Sequence, residues 1–556
     1  MEIGFSDIAV GSSDFAEIRK NGYYYVDKSR LISELIKNQA TKVSLVTRPR
    51  RFGKTLGMSM LAEFFDIRKD SRTLFENLEI SKDQELCGLW MNQWPTLFLS
   101  LKAVDGLGFA KAYGMLKIAI SELCIEHAYL AESEKVDVDD RQTFLRLKSR
   151  TGDESDVCGS LKLLTRMMQA HFNRPVIILL DEYDVPIAKA NDHHYYDAML
   201  DLIKSMMNLA LKDNPFLKFA VVTGCLRIAK ESIFSGMNNF VSDTISDQRF
   251  NEHFGFTEDE VDRILEDTGL ADKKAEIKDW YDGYRFGKLA IYCPWDVMNY
   301  VKDHLQDPCI APKSYWENTS DNSIIKSFIE RTDFNVTEKF EALLSGRYII
   351  QKITENLTYD MLHASEENLW SVLYLTGYLT RADVDGLPEG SVALEIPNRE
   401  IMQIFRTTVV LWFEEQARQM NRKALFDAAW NGDSEALSVQ ISSLLRRTIS
   451  YYDYREDFYH AFLAGIFAGA GYNVDSNRER GEGRSDIVIK DEVEGRVILF
   501  EVKSVQAAAQ METACQSALS QIREKNYAEA LLEDYETVRC YGIAFYKKRC
   551  CIRCFR

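Results

Sequence analysis

Four short runs in the first half of the chain are almost wholly apolar: KVSLVT (42–47), PTLFLSL (95–101), PVIILLD (175–181) and KFAVVTG (218–224). Between them lie longer stretches in which apolar residues recur at helical spacing. Short β-branched runs without polar alternation read as central strands of a parallel sheet, buried on both faces, with the helical stretches as crossovers. Residues 1 to about 245 therefore follow α/β grammar. From about 250 to 440 the pattern turns mainly helical, with aromatic-rich connectors such as WYDGYRFG (280–287), which reads as an ordered turn packed by its aromatics. From about 445 the α/β pattern returns: a helix in REDFYHAFLAGIFAGAG, strands in SDIVIK and RVILFEVKS, a further helix, and a strand in VRCYGIAFYK. The expected division is 1–245, 246–444 and 445–556. Only ten prolines occur and no repeat or low-complexity tract is present, so these boundaries rest on changes of pattern alone.

Composition adds limits. A chain of 556 residues is too long for one core, and 46% hydrophobic residues supply enough apolar surface for several. No uncharged apolar run approaches the ~20 residues of a membrane span. The opening MEIGFSDIAV has neither the basic start nor the apolar run of a signal peptide, and the eleven cysteines show no framework spacing. Reduced thiols in a cytoplasm, away from membranes, are the expectation. The net charge of −17 excludes a protein that coats nucleic acid with its whole surface. Any such contact must run through a local positive groove or draw charge from a metal ion.

The first candidate chemistry lies where KVSLVT runs through RPRRFGKT into the helical LGMSMLAEFFDI. Strand, loop, Gly-Lys-Thr, helix is the context of a phosphate-binding loop. Gly53 allows close backbone approach, Lys54 reaches the outer phosphates, Thr55 offers a hydroxyl to Mg²⁺, and the helix N-terminus adds its partial positive charge. Arg50, Arg51 and Phe52 complete the loop. Arg48 stands where the first glycine of the loop is expected, beside Pro49, and the loop arginines either face phosphate or are solvated. In ILLDEYD, Asp181 ends a strand where it can hold Mg²⁺, and Glu182 can orient or deprotonate an attacking water. Arg227, after the strand ending in Thr223-Gly224, is a sensor or arginine finger, or else a surface ion pair.

These strings, together with FAEIRKNGYYYVDKSRLISELI, TGCLRIAKESIFSGMNN, WYDGYRFG, YWENTSDNSII and LYLTGYLT, resemble the bacterial AAA-ATPase-like family over nearly the whole chain. Members of that family carry a PD-(D/E)XK nuclease-like domain at the C-terminus, and the arginine-bearing loop is a trait they share. The resemblance implies an α/β fold: a P-loop NTPase domain with a parallel sheet, a mainly helical middle region, and a restriction-endonuclease-like α/β domain. It implies ATP and Mg²⁺ as cofactors. Ring or other homo-oligomer formation follows by analogy with AAA-type ATPases alone.

The second candidate site lies in GRSDIVIKDEVEGRVILFEVKS. Glu501 and Lys503, two apart on one strand, share a face, and a hairpin can bring Asp486 beside them. Two carboxylates can hold Mg²⁺, with the Val502 carbonyl as a further ligand. Lys503 can position or help activate the water that attacks a phosphodiester. Upstream, Glu456 and His460 stand one helical turn apart. Glu456 resembles the first-helix glutamate of resolvase-like nucleases, and Gln521 and Tyr527 resemble residues of the helix that follows the nuclease core. Cys551 and Cys554 in CCIRC lack a second pair for zinc and read as part of a terminal strand. The expectation is an ATPase coupled to Mg²⁺-dependent cleavage of nucleic acid, DNA before RNA. The alternative is an ATP-operated switch whose nuclease-like domain binds without cutting. A metabolic kinase would leave the second motif idle.

Overall fold

The computed structural model describes residues 7–37, 41–227, 240–316, 337–355, 357, 365–408, 423–448, 456–476, 479–480, 483–484, 487–525, 528–532 and 534–555. The chain packs as two units, one formed by Met1–Asn318 with Ile350–Ile401 and the other by Thr319–Ile349 with Met402–Arg556.

The first unit is built on five parallel strands: β1 (Val43–Thr47), β2 (Thr96–Ser100), β3 (Val176–Asp181), β4 (Leu217–Gly224) and β5 (Phe240–Asp243), in the order β2-β3-β4-β1-β5. Every residue of β1 and β3 is buried, because both sheet faces carry helices. Val43, Leu45, Ile178 and Leu180 enter a core with helices Phe109–Glu126, Glu154–Phe172 and Tyr196–Leu211. The alternate residues Val46, Ile177 and Leu179 enter a second core with Phe15–Lys20, Arg30–Lys37 and α1 (Lys54–Phe65). β5 has no counterpart among the expected strands. Its sequence, FVSD, is short, polar over its last two positions and half-exposed, as suits an edge. Because all five strands run the same way, their carboxyl ends share one rim. Thr47 pairs with Gly224, Ser100 pairs with Asp181, and Asp243 pairs with Val46. The crevice outside that rim, at the point where strand order reverses, is where such sheets bind ligands.

WYDGYRFG is more than a turn. It ends a helix at Tyr281 and forms the first strand of a hairpin, β6 (Tyr284–Phe286) with β7 (Leu289–Ile291). Gly283 has φ 99° and a β-carbon there would meet the Pro397 carbonyl oxygen at 2.0 Å, so both conformation and close packing require glycine.

In the second unit a sheet runs in the order β8 (Asn473–Ser476), β9 (Ile487–Asp491), β10 (Arg496–Ser504), β11 (Thr537–Tyr546) and β12 (Arg549–Phe555). All neighbours are antiparallel except β10 and β11, which are joined by the crossover helix α2 (Met511–Glu524). Helices Ser434–Thr448 and Glu456–Ala468 cover one face, while α2 covers the other. Cys551 and Cys554 lie in β12. Among the described residues no helix is long and apolar enough to cross a membrane.

Candidate functional site

The loop between β1 and α1 turns through two left-handed residues, Arg51 at φ 70° and Gly53 at φ 81°. Gly53 is the N-cap of α1 and no side chain caps that end, so the first-turn N–H groups are left for an anion. Lys54 is buried and its ammonium donates to the carbonyls of Arg48 (2.9 Å) and Pro49 (2.8 Å). Cys225 Sγ lies 3.6 Å from the same nitrogen. The lysine thus holds the loop's own acceptors where a phosphate oxygen would compete for it.

Arg48 is neither solvated nor phosphate-facing. Its guanidinium is fully buried, donating to the carbonyls of Thr47 (2.8 Å), Asp243 (3.0 Å) and Arg249 (3.1 Å), with the rings of Phe254 and Phe286 beside it. Burial pulls its pKa down to about 10 against the raising charges of Asp243 and Asp247. Its own N–H continues the β1–β4 ladder to Gly224, and it is not among the residues with positive φ. The turn therefore needs no glycine at 48, and the arginine instead ties the loop to the end of β5. Replacing Arg48 with glycine would restore the usual motif yet take the guanidinium from three carbonyls, of which that of Asp243 keeps the Thr47 hydroxyl at 3.5 Å. It is expected to lower unfolding stability by ~3 kcal/mol or more, as read by urea denaturation, with no gain in nucleotide affinity.

The remaining loop residues point to different places. Phe52 is fully buried, edge-on to Tyr284 (5.0 Å) and tilted against Phe286 (5.1 Å), so the hairpin β6–β7 grips the loop from outside. Only the backbone of Phe52 is left to face a ligand. Arg51 lies over Trp295 at 4.0 Å. Arg50 is exposed, and its charge acts on Glu182 and Cys225.

Across the rim, Asp181 is ringed by hydroxyls. Thr223 donates to Oδ1 at 2.6 Å, while Thr55 and Ser100 donate to Oδ2 at 2.9 and 3.3 Å. A carboxylate and a threonine hydroxyl in contact are hard oxygen donors suited to Mg²⁺. Glu182, at φ 54°, turns out of the strand direction beside them. Burial first, then the charges of Asp181 and Asp184, raises its pKa, opposed by Lys54 and Arg50.

Three participants were not anticipated: Ser100, Tyr183 and Asp184. Asp184 Oδ2 accepts the N–H groups of Cys225 and Leu226, each at 2.9 Å, and Tyr183 donates its hydroxyl to the Leu226 carbonyl at 2.9 Å. The strand end of Asp181-Glu182-Tyr183-Asp184 is thereby stapled to the segment leading to Arg227. Gly224 permits this, since a β-carbon there would come within 2.6 Å of the Tyr183 ring. Arg227 follows the stapled segment, and its Nε is buried without a hydrogen-bond partner among the described residues.

In the second unit, Glu501 is buried on β10 and its Oε1 accepts from Lys503 at 3.2 Å and from Gln521 of α2. Gly542 pairs with Glu501 across the parallel ladder. A β-carbon at 542 would lie 2.4 Å from the Cys515 carbonyl oxygen, so this glycine lets α2 approach closely enough to deliver Gln521. Glu456 opens the helix Glu456–Ala468, with His460 one turn on. Asp486 and Tyr527 lie outside the described residues, β9 beginning at Ile487, which pairs with Phe500. Among the described residues no group of three His, Cys, Asp or Glu side chains is arranged to hold a metal ion. Residues 445–556 carry equal numbers of acidic and basic residues, so the net charge of −17 belongs to the rest of the chain.

Comparison with known proteins agrees with this two-site layout. Residues 9–234 match the family model described as "Predicted AAA-ATPase", and residues 454–554 match that of the PD-(D/E)XK nuclease superfamily. The chain is also 25% identical over 551 residues to an uncharacterized protein in the vnfD 5' region of Azotobacter chroococcum mcd 1, covering 97% of this chain and 96% of the relative.

Proposed function

From an AAA-ATPase-like domain and a PD-(D/E)XK nuclease-superfamily domain joined in one chain, we propose that the protein binds and hydrolyses ATP and uses that cycle to govern cleavage of nucleic acid phosphodiesters in the cytoplasm. The observation that carries this reading is the convergence of Lys54, Thr55, Asp181 and Glu182 on one sheet rim, with the Thr55 hydroxyl 2.9 Å from Asp181. The uncapped start of α1 and Lys54 bind the phosphates. Thr55 and Asp181 would hold Mg²⁺, which when bound supplies positive charge to the phosphate oxygens. Glu182 orients the attacking water and accepts its proton. The Asp184 and Tyr183 staple, which fixes the segment leading to Arg227, supports a role for that arginine in sensing the terminal phosphate.

At the second site Glu501, with Asp486 and Glu456, would hold Mg²⁺, and Lys503 positions the attacking water. Gln521 and Lys503 together fix the Glu501 carboxylate. The electrically balanced segment around this site offers nucleic acid a local approach on an acidic protein, and we favour DNA as the substrate.

The test is cleavage of labelled single-stranded, duplex and branched DNA, and of RNA, with Mg²⁺ or Mn²⁺ and with or without ATP, beside Lys54→Ala and Asp486→Ala. Loss of cutting in the Asp486 variant, and its dependence on Lys54, are the expected results. ATP turnover with no cutting of any substrate would replace this reading with that of an ATP-operated switch.

A further inference from the structure

The phosphate loop touches a second buried polar group that the proposed chemistry leaves unused. Helix Pro294–Gln306 begins beside the loop, and its third residue, Asp296, is fully buried. Facing it is Glu400, at the start of the helix 399–408, also fully buried and within hydrogen-bonding reach of Asp296. Glu400 Oε1 is satisfied by the N–H groups of Tyr315 (2.5 Å) and Trp316 (2.9 Å) and the Ser314 hydroxyl (3.3 Å). Among the described residues, Glu400 Oε2 and both oxygens of Asp296 receive no N–H or O–H. Buried carboxyl oxygens turned to one another, with only the Cys293 thiol as a donor beside Asp296 among the described residues, are tolerable only if a proton lies between the two carboxyls. Arg51 is stacked on Trp295, the neighbour of Asp296, and is subject to the charges of both carboxyls.

We propose that Asp296 and Glu400 are positioning residues for the phosphate loop: they share one proton, and the single negative charge left on the pair holds the Arg51 guanidinium, and through it the outer turn of the loop. This rests on the reading of the loop as a nucleotide site. Arg51 sits in the left-handed region, where a non-glycine residue is strained. A fixed charge behind it gives the loop a reason to keep that conformation. The Cys293 thiol lies beside Asp296, and its sulfur also approaches the Arg51 carbonyl at 3.8 Å. The hydroxyls of Tyr281, Tyr284 and Tyr315 also face the pair, and among the described residues Arg51 is the cation whose charge acts on Asp296. Burial, and then the Glu400 charge, pushes Asp296 well above the usual carboxylate range, and burial raises Glu400 against its bonds to Asp296 and the two amides.

The sign of the pH effect follows. A carboxyl whose proton is retained on folding contributes stability that is full below the unfolded pKa and is lost as pH rises through the folded value. Wild-type unfolding stability should therefore fall as pH rises above the ordinary carboxylate range, and affinity for a fluorescent ATP analogue should weaken over the same interval as a second charge develops beside Arg51. Glu400→Gln keeps a donor toward Asp296 permanently and should remove both slopes. A slope unchanged in that variant overturns the shared proton. Asp296→Asn and Arg51→Gln should each weaken nucleotide binding by roughly tenfold, with the double variant no worse than either. Additive losses overturn the link through Arg51. The same cycle is read in unfolding stability without nucleotide, so a protein that binds no nucleotide refutes the functional reading while the pair is still decided. Coupling in stability with none in affinity would make the pair structural and overturn its positioning role.

Discussion

Lys503→Ala is expected to lower phosphodiester cleavage by about 10³-fold while ATP turnover stays close to that of the wild type. The lysine donates to the Glu501 carboxylate at 3.2 Å, and Gln521, a neutral amide at the same oxygen, cannot supply its charge. Its side chain is 26% exposed, so its removal leaves the β10 core of Val497, Ile498, Leu499, Phe500 and Val502 intact. The fold should survive, as circular dichroism and unfolding would register. Rates of cleavage and ATP hydrolysis measured on the same preparation decide the matter. Cutting that persists in the variant would remove Lys503, and with it the Glu-x-Lys assignment, from the chemistry.

Glu182→Gln is expected to leave nucleotide binding in place and to slow hydrolysis by about 10²–10⁴-fold. Amide and carboxylate share a shape, so the residue keeps its bend at φ 54° and its place beside Lys54, but it can no longer accept a proton. Lys54→Ala should instead lose binding itself. The pH profile separates the two effects. Burial raises the Glu182 pKa, so wild-type turnover should climb with pH through a range above that of an ordinary glutamate, where the carboxyl becomes an acceptor. In the Gln variant that limb should be absent. Turnover in Glu182→Gln equal to that of the wild type would assign the proton to another group.

The strands that were legible before the structure are those buried on both faces, where the sequence has no choice but to be apolar. VSLVT and VIILLD became β1 and β3, and RVILFEVKS became β10. β5 was not legible, because an edge strand of four residues needs only one buried side chain and its FVSD composition suits a loop equally well. The same contrast runs through the candidate sites. A lysine after glycine or an acid at a strand end advertises itself locally. Ser100, Asp184 and the Asp296–Glu400 pair do not, since their roles come from residues far away in sequence: Asp181, Leu226 and Arg51. One signal was available. Tyr183-Asp184 follows the acidic pair directly, and a polar residue kept just beyond a buried strand usually has a backbone to hold. Arg48 carries the plainest lesson. Expecting a glycine there assumes that the position needs a left-handed backbone, and its place in the β1–β4 ladder shows that it does not.

The strand order has a consequence for how the protein comes into being. β1 is the first strand of the sheet to be synthesised, yet both of its neighbours, β4 and β5, are the last. At the usual pace of translation, the interval between the emergence of Val43–Thr47 and that of Leu217–Gly224 is on the order of ten to thirty seconds. Throughout that time a mainly apolar segment has no ladder to join, while β2 and β3 can already pair. Such a sheet closes late and around its centre, which is the slow, non-local case of β assembly. The nascent chain is therefore exposed to chaperones and to its own neighbours on a polysome for most of the synthesis of its first unit, and any fragment ending before Asp243 leaves β1 with an open edge.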